Sequence, residues 1–550
     1  MFMKIDKVVI KNFKRFKGRF SLELNAGVNI IVGDNEAGKS TILEAINLAL
    51  TGYYCGRHIS MELSQYLFNE STVNEFLDSL RTGHALPPPE IHIELFLSGE
   101  DITETALSEG DGNSDKVSYS GISFKIKFND EYKSEYEALI SSGDVKTIPI
   151  EYYHVDWKNF ARASITSRSI PLKSALIDSS STRYQNGSDV YIGRIVKGML
   201  SPGDIVNISQ SHRGMREYFM EDESIEAINK KISEAAKITE KSVKLSVDLS
   251  TRNAWENSLI TCLDNIPFHF IGKGEQSIIK TNLALAHNKA KEANVILVEE
   301  PENHLSHTKL NSLVKIIKDN HADKQVIVTT HSSFVANKLG LDDLILLNDE
   351  KTFKLDELSD DTRLFFEKIS GYDTLRLILC KKAILVEGDS DELVVQRAYK
   401  DNNGGALPIE NCVEVISVGT SFLRFLEVAE KLGKAVSVLT DNDGDVNALN
   451  EKYERYIGEN KREHIDICFD EKVDGGELLI GTKSFNYNTL EPKILKVNSL
   501  EKFNKIFEVD YKDVDDMHKY MRRNKTDCAL KIYSTTEKVN YPEYILEAIK

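Results

Sequence analysis

Residues Val28 to Leu50, VNIIVGDNEAGKSTILEAINLAL, constrain the fold more than any other stretch. Val28 to Val32 is a continuous apolar run, the pattern of a strand buried on both faces. Gly33 to Ser40 fits G-x-x-x-x-G-K-[ST], and Ile42, Ile46 and Leu50 then recur at helical spacing. Strand, glycine loop and helix in that order form the setting of a phosphate-binding loop. Glycines let backbone N–H groups close around phosphate oxygens, and the helix N-terminus adds positive potential. Lys39 is expected to reach the β- and γ-phosphates of ATP and Ser40 to hold Mg²⁺, with Gly33, Asn35, Gly38 and Thr41 completing the loop.

The complementary parts lie far downstream. In NVILVEEPENHLSH an apolar strand, Val295 to Val298, precedes Glu299 and Glu300. An acid at a strand end can hold the Mg²⁺ water shell, and the next can polarise an attacking water. QVIVTTHSSF repeats the pattern, a strand ending near His331, which can sense the γ-phosphate or serve only as a structural histidine. Just upstream, FIGKGEQSIIKTNLALA opens an apolar-patterned helix with Gly272, Gly274, Glu275 and Gln276. Between loop and acidic strand lie roughly 260 residues, more than a minimal ATPase core. IHIELFLS and VSYSGISFKIKF alternate like strands. Residues from about 184 to 240 read as an inserted helical arm, for lateral packing or for dimerisation.

The last third carries a second chemistry. In KKAILVEGDSDELVVQRAYK a strand, Ala383 to Val386, is closed by Glu387, and Asp391 falls in the first turn of the next helix. CVEVISVGTSFLRFLEVAEKLGK gives strand, glycine turn and amphipathic helix, and VSVLTDNDGD follows. This β-α-β-α-β order predicts a parallel sheet. It puts Asp441 and Asp443 at the same sheet end as Glu387, where open α/β sheets bind ligands. A calcium EF-hand counted from Asp441 needs glycine and glutamate where Val446 and Lys452 stand, so that reading fails. Clustered carboxylates repel unless cations neutralise them. Mg²⁺ or Mn²⁺ does so, and an ion pair about 4 Å apart can activate water and stabilise a leaving phosphodiester oxygen. Asp445 reads as a solvated turn.

The whole chain of 550 residues is long enough for two to four domains. No run of eighteen apolar residues occurs, so no membrane span is expected, and the N-terminus has no apolar leader. Six scattered cysteines without a C-x-x-C pair argue against zinc and disulfides and for the reduced cytoplasm. The net charge of −17 weighs against a protein coated for nucleic acid, though a local basic groove is compatible with it. Lys4, Lys7, Lys11, Lys14, Arg15, Lys17 and Arg19 form one basic stretch, opposed only by Asp6. It reads equally as the wet face of an edge hairpin or as a phosphate-contacting face.

Phosphate loop, GKGEQ, EEPENHL and TTHSS resemble, in that order, the ABC-type ATPase heads of recombination and chromosome-maintenance proteins. The resemblance implies that Gly272 to Ser277 of one subunit closes over ATP held by another, hence a head-to-head dimer. No glutamine-loop motif stands out between the first helix and residue 150. VEGDSDE followed by LTDNDGD resembles a Toprim domain, the metal-binding fold shared by topoisomerases, primases and certain nucleases. An ABC head followed by Toprim is similar to the overcoming-lysogenization-defect (OLD) family of ATP-dependent nucleases, for which a glutamate-first EEPENHL is typical.

That resemblance implies an α/β chain of three parts: an ABC-type ATPase domain (1–355), a connector (356–378) and a Toprim domain with a C-terminal helical extension (379–550). It adds Glu491, in TLE, to the acids, and a lysine best matched by Lys525, with Lys531 and Arg523 nearby. It implies a DNA endonuclease using two-metal hydrolysis at Glu387, Asp391, Asp441, Asp443 and Glu491, with Lys525 offsetting charge and cutting gated by ATP. Glu300 would be the water-polarising acid of the ATPase. It further implies a homo-oligomer acting in anti-phage defence, sometimes with a second protein. Two other readings stay open. A Toprim topoisomerase or primase would need a nucleophilic tyrosine that nothing marks among the 21 present, or a zinc module. An ATP-switched scaffolding protein would have lost carboxylates that are here.

Overall fold

The computed structural model describes residues 3–33, 36–55, 57–82, 86–99, 107–141, 145–178, 184–185, 188–189, 200–235, 243, 245–246, 260–286, 293–303, 308, 310–311, 315, 324–332, 335, 343–348, 350–354, 357–368, 376–378 and 380–550. The chain divides into two compact units. One comprises Met1–Ile31 and Gly38–Leu339, the other Val32–Ala37 and Gly340–Lys550.

Among the described residues, two larger sheets lie mainly in the first unit. In the antiparallel one, strands Arg19–Glu23, Lys4–Lys11, Ile91–Ser98 and Tyr119–Phe128 lie side by side, and Tyr153–Asn159 also pairs with Tyr119–Phe128. IHIELFLS is thus a strand over its full length. In the other sheet Ser174–Asp178, Val295–Glu299, Gln325–Thr330 and Val28–Gly33 follow in that order. Its first three strands run parallel, as near-continuous apolar runs require. The helix Lys39–Thr51 packs against strands of both sheets, so it is buried almost all round. Ile42, Leu43 and Ile46 are completely buried, each contributing about 1.5–3 kcal/mol relative to exposure. Gln325 ties the two sheets together. Its side-chain oxygen accepts from the Ile5 N–H (2.9 Å), and its amide donates to the carbonyls of Ile5 (2.8 Å) and Asn25 (2.7 Å).

The inserted arm departs from the sequence expectation at its start. Tyr184–Gln185 pairs antiparallel with Ser188–Asp189, and the described helices are Pro202–Met220 and Glu223–Ala235. Residues 186 and 187, between those two strands, lie outside the described residues. Pro202 at the first helical position and a Ser201/Asp204 capping box define the start of the first helix. The basic N-terminal stretch is largely neutralised. Lys7 and Arg19 pair with Asp115, Lys11 with Glu90 (3.4 Å), Lys14 with Glu44 and Lys17 with Glu75. These acids lie 30 to 108 residues away for Lys7, Lys11, Lys14 and Lys17, beyond the reach of local reading.

In the second unit Val413–Ser417, Lys382–Val386, Ala435–Leu439 and Ile465–Cys468 form an all-parallel sheet in that order. Helices Asp389–Asn402, Leu490–Lys496, Leu500–Phe507, Val514–Arg523, Lys525–Ser534 and Glu543–Ala548 share its core through Val395, Ile494, Phe503, Phe507, Met521 and Ile545. Arg397 fastens the first of these to the end of the fifth. It donates to the carbonyls of Ile532 (3.1 Å), Tyr533 (2.9 Å) and Thr535 while paired with Asp401 (2.8 Å). No helix among the described residues is long and apolar enough to cross a membrane.

Candidate nucleotide and metal sites

The candidate nucleotide site is assembled from strand ends. Gly38 has φ +102°, and a Cβ there would stand 2.8 Å from Phe16 Cζ, so the turn before Lys39 requires glycine. Lys39 is buried, and its Nζ lies 3.3 Å from His331 Nδ1. His331 Nε2 lies 3.0 Å from Glu300 Oε1, and Asn303 donates to Glu300 Oε2 (2.8 Å). Lysine, histidine and acid from three separate segments therefore form one chain of contacts. Glu299 ends its strand in register with Thr329. Ser40 and Thr41 begin the buried helix; Gly33 ends the preceding strand; Asn35 lies outside the described residues.

Glu302, absent from the sequence expectation, is the fastener of this arrangement. Its Oε1 accepts from Thr330 Oγ1 (2.6 Å) and from the N–H groups of His331 (2.7 Å) and Ser332 (3.1 Å). Its position in EEPEN three residues after Glu299 was the only available signal. Gly274 and Gln276 lie in the first turn of the helix Lys273–Ala286, as the pattern suggested. Gln276 is folded onto its own loop, donating to the carbonyls of Phe268 (2.9 Å) and Ile271 (2.8 Å).

The second site grows from the parallel sheet. Lys382–Val386 and Ala435–Leu439 are neighbours, with Leu385 opposite Val438, so Glu387 and Asp441 leave the same sheet edge. Asp391 sits in the first turn of its helix, its Oδ2 accepting from the Gly388 N–H (3.0 Å). Asp441 Oδ2 accepts from the Leu490 N–H at 3.3 Å, bringing in the helix that carries Glu491. Thr489 Oγ1 donates to Glu491 Oε2 (3.3 Å), and Lys525 Nζ lies 3.1 Å from Glu491 Oε1. Asn486 donates to Asp443 Oδ1 (2.8 Å).

The turn between the acids is built by Asn442. Asp443 has φ +48° and Gly444 φ +87°. Asn442 accepts from the Gly444 N–H (3.0 Å) and donates to the carbonyls of Asp470 and Lys472. Those residues are held in turn by Lys493, almost fully buried, whose ammonium reaches Asp470 (2.7 Å), Asp474 (2.9 Å) and the Lys472 carbonyl (2.7 Å). Nothing in the sequence distinguishes Lys493 from a surface lysine. Asp445 is not a bare solvated turn: it caps the following helix, accepting from the Ala448 N–H at 3.0 Å. Lys531, the rival to Lys525, donates to the Phe507 carbonyl (2.6 Å).

The electrostatics report the crowding. Burial, followed by the charges of Asp391, Glu387, Glu491 and Asp443, pushes the Asp441 carboxyl up to about 8. Burial, with Glu491 and Glu387 against the opposing Gly388 N–H, lifts Asp391 to about 6. Burial works against the Lys525 charge, but Glu491, Asp441 and Asp391 outweigh it and hold the ammonium above its usual value. Carboxylate oxygens are the hard donors that divalent cations such as Mg²⁺ and Mn²⁺ take. The set is open: among the described residues no three His, Cys, Asp or Glu side chains stand close enough to form a ready-made cage.

Comparison with known proteins follows the same division. A family model described as "AAA domain, putative AbiEii toxin, Type IV TA system" matches residues 28–337, and one described as "Overcoming lysogenization defect protein-like, TOPRIM domain" matches residues 378–443. The chain is 21% identical over 473 residues to Endonuclease GajA of Bacillus cereus (strain HuB5-5), covering 73% of this chain and 68% of that protein. Among solved structures, an Smc head domain derived from Pyrococcus furiosus covers 65% of this chain and 98% of its own, at 14% identity and a TM-score of 0.33. A RecF–ATP structure covers 64% and 99%, at 12% identity and a TM-score of 0.32. Likeness of that degree adds nothing to the assignment. The first model spans more than half the chain, which therefore belongs to the AAA-domain family that it describes; with the OLD-like Toprim match and the related endonuclease, this supports an OLD-type chain, an ATPase domain joined to a Toprim nuclease domain.

Proposed function

We propose that this protein is a DNA endonuclease whose ATPase domain, residues 1–355, controls phosphodiester hydrolysis in the Toprim part, residues 379–550, across a connector at 356–378. The observation that carries this reading is the mutual approach of acids from three stretches of chain: Asp441 feels the charges of Asp391, Glu387, Glu491 and Asp443, and Lys525 feels those of Glu491, Asp441 and Asp391. Glu387, Asp391, Asp441, Asp443 and Glu491 would hold divalent cations, Mg²⁺ or Mn²⁺, which when bound supply water activation and stabilisation of the leaving oxygen. Asn486 orients Asp443, the Leu490 N–H orients Asp441, and Thr489 orients Glu491. Lys525 offsets the negative charge that builds on the phosphoryl oxygens in the transition state.

In the ATPase domain the loop Gly33 to Thr41 binds nucleotide, Ser40 and Glu299 serve its Mg²⁺, Glu300 polarises water and His331 faces the γ-phosphate. Gly274 and Gln276 would close over ATP on a second copy, making the active form a homodimer or larger oligomer. The related endonuclease supports the nuclease reading. Family resemblance motivates a cytoplasmic role in anti-phage defence, with a second defence protein as a candidate partner.

The test uses plasmid, linear and single-stranded DNA with Mg²⁺ or Mn²⁺, with and without ATP. Asp441→Ala and Glu387→Ala should each abolish cutting while labelled ATP still binds. Continued cleavage by both purified variants would end the proposal.

A further inference from the structure

A groove of about 450 Å³ lies in the second unit, lined by Leu479, Ile480, Gly481, Lys519, Arg522 and Arg523. One wall is the hairpin Leu479–Ile480/Lys483–Ser484; the other is the helix Val514–Arg523. The helix buries Met517, His518 and Met521, which leaves Lys519, Arg522 and Arg523, at i, i+3 and i+4, sharing the opposite side. The root of the hairpin is packed on that helix by Phe485 and Tyr487, whose rings lie 5.0 and 5.4 Å from the His518 ring. The groove is therefore built rather than left between loose segments.

Its lining carries three cations close together. With 86 acids against 69 lysines and arginines, most basic side chains in the N-terminal stretch stand on an acid partner. Arg522 and Arg523 are exposed and have no ion-pair partner among the described residues; neither has Lys483 on the hairpin. Lys519 pairs with Asp516 (2.9 Å). Cations in the last turn do favour the helix dipole. That effect accounts for Arg522 and Arg523 but not for an exposed lysine on the separate hairpin.

Along the chain, both walls lead on to residues that touch the acid cluster. The hairpin wall continues to Asn486, which donates to Asp443; the helix wall ends two residues before Lys525, which pairs with Glu491. Two residues span at most about 7 Å. The end of the helix wall therefore lies next to Lys525.

We propose that this groove is the track for the sugar–phosphate backbone on one side of the cut, with Lys519, Arg522 and Arg523 as phosphate-positioning residues. It rests on the nuclease reading above and adds where the DNA lies. Leu479 and Ile480 present an apolar surface to the deoxyribose face while the three cations take phosphates. Phosphate contacts of this kind fix register and carry no sequence preference.

The experiment measures binding of the full chain to a fluorescently labelled 30-base-pair duplex, in EDTA, across a series of salt concentrations. Arg522→Ala/Arg523→Ala should weaken binding at least tenfold and make the plot of log affinity against log salt shallower by about 1.8, at 0.9 per lost phosphate contact. Arg522→Lys/Arg523→Lys should restore most of the slope, and Lys505→Ala, on the separate helix Leu500–Phe507, should leave it unchanged. In cleavage assays the double alanine variant should raise KM and keep kcat at saturating DNA. Both positions are exposed and helical, where alanine is well tolerated, so an unchanged melting curve is expected. Wild-type affinity and slope in the double variant would overturn the track, as would failure of the wild-type chain to bind the duplex. Loss of slope in this variant while Asp441→Ala still cut would keep the groove and sink the metal site; the converse would sink the groove alone.

Discussion

Replacing Lys493 with methionine isolates what a buried ammonium does for the acid-bearing turn. Methionine keeps most of the side-chain volume, so little cavity cost is expected. What is lost is the charge and three hydrogen bonds, to Asp470, Asp474 and the Lys472 carbonyl. Three bonds from a charged donor, at about 1.5–3 kcal/mol each, set an upper bound. Asp470 and Asp474 remain about a quarter exposed, and Asp474 keeps Lys496 at 2.6 Å, so water and the second lysine recover part of that. About 2–3 kcal/mol remains.

The effect should be local, because the 470–474 loop supports Asn442 and, through it, the turn holding Asp441 and Asp443. Hydrogen–deuterium exchange of amides in 442–445 and 470–476 should speed up about 30- to 150-fold, at tenfold per 1.4 kcal/mol. DNA cleavage should fall with it. The pH dependence has a definite sign. Asp470 and Asp474 are held below the ordinary aspartate value of 3.8, lysine contacts outweighing the burial that opposes them. Their contribution is present above that value and is lost as pH falls through the lowered folded values. The gap between wild type and variant should be constant from pH 5 to 7 and should shrink below 3.8. Unchanged exchange in 470–476 at pH 7 would refute the reasoning.

Lys525→Met should lower kcat about 10²- to 10³-fold with a smaller change in KM, whereas Lys531→Met should keep kcat; an effect confined to KM would remove Lys525 from the transition state. Gly38→Ala forces a Cβ towards Phe16 at φ +102°, a strain of about 1–3 kcal/mol, and should cut labelled-ATP affinity at least tenfold; wild-type affinity would contradict the required turn. Arg397→Met removes donors from four carbonyls and from Asp401 and should cost about 3 kcal/mol, a drop of about 1 M in the urea midpoint; an unchanged midpoint would mean the carbonyls find water at no cost.

Local pattern carried much of the architecture, and distance along the chain limited the rest. The apolar runs at Val28, Val295 and Ala383 are strands because a segment buried on both faces must be apolar throughout. Asp391 reads correctly as first-turn from Gly388 alone. The partners of the basic N-terminal stretch could not be read, since Glu44, Glu75, Glu90 and Asp115 reach it only once the helices and strands have packed. Glu302, Asn442 and Lys493 were equally hidden, because a side chain that supports a functional group looks like any other until its neighbours are known.

The sequence by itself determined which chemical groups exist and at which strand ends they stand: a phosphate loop, two acidic turns and a parallel order that puts Glu387 and Asp441 on one edge. Only the tertiary structure decided that Glu491 and Lys525 meet beside them and that Arg522 and Arg523 line a groove leading there. The physical reason is range. Strand and helix periodicity are set by neighbours a few residues apart, while an ion pair or a groove wall depends on packing between segments whose separation in sequence carries no information about their separation in space.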